Sequence, residues 1–166
     1  MKVRKATAND LDDIMEIYRI AQDFMIKNGN PNQWGHTYPS LELIKEDIES
    51  GICNIICDEN DIIHGVFALV FGDEPTYENI ENGEWLNDDE YVTIHRIAGD
   101  GKVGGIFNSA IEYCKNICNN IRIDTHESNN IMQKLIEKNG FQKCGIIYVR
   151  DSPRIAYHWS KNNLMK

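Results

Sequence analysis

The run Gly99-Asp100-Gly101-Lys102-Val103-Gly104-Gly105 joins a strand-like segment to a helix-like one. Before it, Tyr91, Val92, Thr93, Ile94 and Ile97 are β-branched or aromatic types that suit a pleated, half-buried surface. After it, Ile106, Phe107, Ala110, Ile111, Cys114, Ile117 and Cys118 recur at three- and four-residue steps and would share one helix face. The first N–H groups of a helix have no internal partner, and the helix dipole favours negative charge there. Strand, glycine loop and helix can therefore seat a phosphate, with Lys102 adding a cation. A second set of residues could move protons. Asp124, His126 and Glu127 cluster at the end of a later strand, and His95 lies in the central one. Imidazole is the side chain that changes charge near neutral pH. Each also has an ordinary reading: His95 paired within the sheet, His126 capping a helix.

The glycine run alone is also compatible with plain turn chemistry. It is not a Walker loop, because no Gly-Lys-Ser/Thr follows at the required spacing. A dinucleotide fingerprint would follow the first strand of a βαβ unit, with an acidic partner about 20 residues on. Asp124 lies near that distance, but other strands precede this one.

Two motifs in order narrow the choice. Lys102-Val103-Gly104-Gly105-Ile106-Phe107 resembles the Arg/Gln-x-x-Gly-x-Gly/Ala loop with which GNAT N-acetyltransferases bind the pyrophosphate of acetyl-CoA. Lys102 stands where Arg or Gln is usual, and Phe107 at the small-residue position. The segment Asn129-Asn130-Ile131-Met132-Gln133-Lys134-Leu135-Ile136-Glu137-Lys138-Asn139-Gly140-Phe141 is similar to that family's Asn-x-x-Ala-x-x-Leu-Tyr-Glu-Lys-x-Gly-Phe stretch, with Ile136 in place of the Tyr. The resemblance covers nearly the whole chain and is weakest over Phe24 to Ser40 and Asp73 to Glu90.

The chain has 166 residues, enough for one domain, residues 1–166, with a proper core. Its 42% hydrophobic and 26% charged content fits a soluble globule, with no apolar run of membrane-span length and no secretory signal after Met1. A cytoplasmic protein is expected. Net charge is −9, which serves solubility or attracts a cationic acceptor. Lys and Arg are scattered, so no nucleic-acid partner and no membrane partner are expected. Five Cys without a signal argue against a disulfide framework. No paired Cys or His spacing suggests a metal site.

Taken in order, Val3 to Ala6 reads as a strand and Leu11 to about Gln22 as a helix. Asp23 to Ser40 reads as a breaker-rich segment holding Trp34, His36 and Tyr38. Ser40 caps a helix to about Ser50. Cys53 to Cys57 and Ile62 to Phe71 form a hairpin about Asp58-Glu59-Asn60-Asp61. Gly72 to Glu90 is an acidic surface excursion that Trp85 and Leu86 would pin down. The central strand, Tyr91 to Ala98, and its helix follow. Ile121 to Thr125 is an alternating strand. Ser128 or Asn129 caps the next helix, and Phe141 to Val149 is a strand. Asp151-Ser152-Pro153 is a turn, Arg154 to Trp159 the last strand, and Asn162 to Lys166 is expected to fray. The order β-α-α-β-β-β-α-β-α-β-β predicts an α+β domain, a mixed and largely antiparallel sheet with helices packed on its faces.

The resemblance implies the same fold and an activity. The strands ending at Ala98 and Thr125 would part at their C-terminal ends, with acetyl-CoA, the acetyl donor, wedged between them. A backbone N–H at Ile97 or Ala98 would polarise the thioester carbonyl. The amides of Val103, Gly104, Gly105, Ile106 and Phe107 would hold the phosphates with Lys102 nearby, and Asn129 would touch the pantetheine. Trp34 and Tyr38 would wall the acceptor pocket. His126 is the first candidate for the base, His95 its competitor, and a water chain held by Asp124 the third. The expected reaction is acetyl transfer to a primary amine of a small molecule or peptide by direct attack in a ternary complex. A non-catalytic acyl-CoA sensor of the same fold is the alternative, with Ile136 as its support. A nucleotide-binding enzyme of another fold is the third reading. A homodimer stays open.

Overall fold

The computed structural model describes residues 1–163. Seven strands and four helices follow the expected order: β1 Lys2–Lys5, α1 Leu11–Lys27, α2 Leu41–Glu49, β2 Cys53–Cys57, β3 Ile63–Phe71, β4 Val92–Gly99, α3 Ile106–Lys115, β5 Asn120–His126, α4 Asn130–Lys138, β6 Gln142–Val149 and β7 Ser152–Ser160. The sheet order is β1-β2-β3-β4-β5-β7-β6. The β1–β2, β2–β3, β5–β7 and β6–β7 pairs are antiparallel, and β4–β5 is parallel. This is the mixed, largely antiparallel α+β sheet that the sequence predicts. No helix among the described residues is long and apolar enough to cross a membrane. Of the expected frayed end, Lys161–Asn163 forms a 3-10 turn, and 164–166 lie outside the described residues.

The chain forms two compact units, Met1–Leu69 with His95–Tyr113, and Val70–Ile94 with the chain from Cys114 on. In the first, Ile14, Ile17 and Tyr18 of α1 and Ile44 of α2 pack with Cys53, Ile55 and Val66 of the sheet. Helix α1 runs past Gln22 to Lys27, because no breaker occurs before Asn28-Gly29. Its entry is fixed by Asp10, whose carboxylate accepts from the Thr7 N–H at 2.8 Å and pairs with Arg4 at 2.9 Å. Ser40 caps α2 by accepting from the Leu43 N–H at 3.2 Å. Helix α3 buries Phe107, Ala110, Ile111 and Cys114 but stops at Lys115, so Ile117 is exposed rather than on that face.

In the second unit the excursion after β3 is stitched down. Tyr77, Tyr91, Ile147 and Ala156 form its core, with Ile80, Trp85 and Val149 against them. Glu81 bridges to Ile146, and Trp85 Nε1 donates to the Tyr77 carbonyl at 3.0 Å. β5 is buried nearly throughout, on both faces, so its alternating sequence does not mark a one-sided strand. Arg122 is buried there with its guanidinium 4.2 Å from the Trp85 ring centroid and 3.9 Å from that of Tyr91. The β6–β7 hairpin turns at Arg150 and Asp151, both at positive φ, and Ser152 and Pro153 already pair with Val149 and Tyr148.

His158 of β7 is fully buried. Its Nδ1 accepts from the Leu86 N–H at 3.2 Å and its Nε2 donates to Asn120 Oδ1 at 2.9 Å, which fixes a neutral ring. Burial, and then the charge of Arg122, push its pKa down to about 4. An unfolded chain takes up the proton near pH 6.5, so this contribution is full above that pH and is lost as pH falls toward 4. Urea unfolding should report a loss of about 2–3 kcal/mol from this group between pH 7 and pH 4. The slope should flatten in a His158→Gln variant.

Candidate active site

In the first unit, β4 leads into the loop Asp100–Gly105 and then α3. Asp100 Oδ1 accepts from the Lys102 N–H at 2.9 Å and turns the loop back on itself. Gly105 sits at φ +81°, and its carbonyl accepts from the Ser109 N–H at 2.9 Å. A Cβ added at Gly104 or Gly105 would meet nothing within 4 Å. The backbone is thus open where the first N–H groups of α3 begin, and Lys102 is exposed beside it. A cradle of this kind fits a bulky anion. Phe107 turns its ring into the core and is 6% exposed, so it offers only its backbone to that anion.

One step back along β4, Arg96 has φ +52°. A non-glycine residue there is strained and is kept only where its surroundings over-determine it. Its carbonyl accepts from the buried Tyr18 hydroxyl at 2.7 Å. Its guanidinium forks onto Asp47 of α2, with Nε to Oδ2 at 2.8 Å and Nη2 to Oδ1 at 2.9 Å. Burial works against the charge of Arg96, but the bonds and charge of Asp47 outweigh it, and its pKa is raised. Nη1 also donates to the Tyr38 hydroxyl at 3.3 Å. Trp34 lies between two of these partners, edge-on to Tyr18 at 5.8 Å and tilted against Tyr38 at 6.3 Å. Gln22 of α1 holds the Tyr38 carbonyl at 2.8 Å. Trp34 and Tyr38 are half-buried. Strand alternation puts Thr93, His95 and Ile97 on one face, but the turn of the backbone at Arg96 breaks that alternation. Thr93 is fully buried, while His95 and Ile97 are half-buried and Ala98 is buried.

In the second unit, β5 pairs with β4 in parallel at Val92↔Ile121 and Thr93↔Arg122. Asp124, further along β5, accepts from the Tyr77 hydroxyl at 2.7 Å and lies 4.0 Å from Arg154. The Tyr77 contact had no signal in the sequence, since 47 residues separate the two. His126 is buried, and its Nδ1 accepts from the Ser128 N–H at 3.0 Å. Burial, then Arg154, lowers its pKa. The neutral ring therefore carries its proton on Nε2, leaving no open lone pair to receive another. Asn129, not Ser128, caps α4, with Oδ1 accepting from the Met132 N–H at 3.1 Å. Ile136 is fully buried, a core residue. Among the tyrosines, Tyr157 donates to Glu137 at 3.3 Å, and burial with that carboxylate pushes its pKa up to about 12.

No family model matches the chain, and no curated protein matches it either. Solved structures do. A GNAT-family acetyltransferase from Streptococcus agalactiae is 30% identical over 96% of this chain and 95% of that one, with a TM-score of 0.88. The chain belongs to the GNAT family of acetyltransferases. A GNAT-family acetyltransferase from Listeria monocytogenes shares the fold at 19% identity and a TM-score of 0.70, covering 96% of this chain and 94% of that one. So does a GNAT phosphinothricin acetyltransferase from Sinorhizobium meliloti in complex with AcCoA, at 14% identity and 0.62, covering 99% and 91%. In this GNAT chain the first unit brings together Trp34, Tyr38, the Arg96 kink and the glycine loop. Asp124, His126 and Asn129 belong to the second unit. Nothing local in the sequence marks the partner of Arg96 or its backbone conformation. Asp47 and Tyr18 were missed, because helical positions 49 and 78 residues away carry no local signal of the contact.

Asp47→Asn removes one charge of a pair whose side chains are 12% and 5% exposed. It should cost about 3 kcal/mol in urea unfolding, the scale for stranding a buried charge.

Proposed function

We propose that the chain works as one N-acetyltransferase domain, moving an acetyl group from acetyl-CoA to a primary amine of a small molecule or peptide by direct attack in a ternary complex. The observation that carries this reading is the open glycine backbone at Gly104 and Gly105, at the start of α3, in a chain of the GNAT family. Acetyl-CoA supplies an activated thioester carbonyl. Lys102 and the amides of Val103, Gly104, Gly105, Ile106 and Phe107 hold its phosphates. The N–H of Ile97 or Ala98, just after the Arg96 kink, polarises the carbonyl.

Trp34 and Tyr38 form the wall against which the amine rests. An amine attacks only in its neutral form, so a group beside it must take a proton. We assign that role to His95, which immediately precedes the kink and belongs to the same compact unit as Trp34 and Tyr38. Solvent protonates the leaving thiolate, because the position of the family tyrosine is the buried Ile136.

The same Ile136 favours a second reading, an acyl-CoA sensor without turnover. Release of CoA thiol from acetyl-CoA, scored against polyamines, amino acids, aminoglycosides and peptide N-termini, separates the two. Turnover with one amine class selects the enzyme. Thermal stabilisation by acetyl-CoA with no thiol release from any amine selects the sensor. Gly105→Val, strained at φ +81° and intruding on the cradle, should lose acetyl-CoA binding while staying folded. Unchanged affinity would remove the phosphate assignment.

For the base, His95→Ala should lower turnover about 10²-fold and abolish the acidic limb of the pH–rate profile. His126→Ala should leave that limb in place. An intact limb in His95→Ala would turn attention to a water chain at Asp124.

A further inference from the structure

A buried histidine ties the glycine loop to the sheet. His64 of β3 is 8% exposed. Its carbonyl accepts from the Asp100 N–H at 2.9 Å, and its ring Nδ1 lies 2.7 Å from Asp100 Oδ2. The other ring nitrogen, Nε2, lies 3.1 Å from Asp58 Oδ2 in the β2–β3 turn. Carboxylates only accept, so two of them at the two ring nitrogens call for a proton on each. Both carboxylates are fixed in turn by backbone. Asp58 Oδ1 accepts from the N–H groups of Asn60 at 2.9 Å and Ile62 at 3.0 Å. Asp100 Oδ1 accepts from the Lys102 N–H at 2.9 Å. An unbroken chain of bonds thus runs from the hairpin turn through the ring to the amide of Lys102.

The far end of the loop is seated on the same two strands. A Cβ at Gly65, next to His64, would lie 2.7 Å from Ile106 Cγ2, and one at Gly99 would lie 3.4 Å from Ile106 Cγ1. Ile106 is the first residue of α3. The loop is therefore held at its start by a charged bridge and at its end by a close apolar contact. Between the two holds lie the open glycines, Gly104 and Gly105.

We propose that His64 is a positioning residue for acetyl-CoA, its charged ring bridging Asp58 and Asp100 so that the amides from Val103 to Phe107 are preset for the phosphates. This rests on the cofactor reading above and adds a pH dependence to it. The titratable groups facing the ring are Asp100 from the loop and Asp58 from the hairpin turn. Asp100 first, then Asp58, raise the His64 pKa against the effect of burial. A raised folded pKa means that the bridge is complete below about pH 6.5 and is lost as pH rises through the folded value. The neutral ring keeps one N–H and can serve only one of the two carboxylates.

The test is direct calorimetric titration of acetyl-CoA between pH 7 and 9 on the wild-type chain, Asp58→Asn and His64→Leu. The wild type should bind more weakly as pH rises. In Asp58→Asn the break should move to lower pH, because one of the two carboxylates that hold the ring charged is gone. His64→Leu should bind about tenfold more weakly than wild type at pH 7, the scale of a lost charge-assisted hydrogen bond, with no break. Wild-type affinity in a folded His64→Leu, or a break that stays in place in Asp58→Asn, overturns the role of His64 and leaves the cofactor reading standing. No binding of acetyl-CoA by the wild type at any pH overturns both. If His64→Leu does not fold, the shift or constancy of the break between wild type and Asp58→Asn decides the matter alone.

Discussion

The first unit depends on one strained residue. Arg96 holds φ +52° in a strand, a conformation that costs of order 1–3 kcal/mol away from glycine. Two partners offset that cost. Asp47 takes the guanidinium through two bonds, and Tyr18 donates its hydroxyl to the Arg96 carbonyl. Those partners come from α2 and α1, so the kink also sets where both helices contribute to the site. Trp34 and Tyr38 pack on each other and on Tyr18 and Arg96. Trp34, Tyr38 and the backbone at Arg96 are thereby fixed by a single cluster.

Buried charge meets carboxylate in the first unit, and in the second both carboxylate, at Arg154 and Asp124 4.0 Å apart, and ring faces. In the first, each buried cation meets carboxylate: Arg96 meets Asp47, and His64 meets Asp58 and Asp100. In the second, Arg122 sits between the faces of Trp85 and Tyr91 and donates to the Asn87 carbonyl at 3.0 Å. Burial lowers its pKa, and its Nε has no hydrogen-bond partner. Ring faces attract a guanidinium without the desolvation of a second charge. The same residues close the excursion over the sheet, since Trp85, Leu86 and Asn87 each bond to this unit's core. An acidic, irregular segment is thus ordered by one buried cation and one neutral histidine.

The order of elements and the loop-to-helix junction were legible in the sequence because both are local patterns. Glycine spacing and a three- to four-residue apolar period need no knowledge of the rest of the chain. Errors fell where a tertiary contact overrides the local pattern. Alternation across β4 fails at Arg96, whose conformation depends on Asp47 and Tyr18. Ile117 continues the apolar period of α3, yet the helix ends before it. The alternating residues of β5 predict a half-exposed strand, but Arg122 is buried because aromatic rings from a distant excursion cover it. The two carboxylate partners of His64 lie 6 and 36 residues away and leave no local signal in the sequence.

We infer that acetyl-CoA phosphates rest on the backbone at the start of α3. Amide chemical shifts followed while acetyl-CoA is titrated into uniformly ¹⁵N-labelled protein test it most directly. The largest changes should fall on the N–H groups of Val103, Gly104, Gly105, Ile106 and Phe107, and should shrink when pantetheine replaces acetyl-CoA. Binding of acetyl-CoA that leaves those five amides unmoved would contradict it.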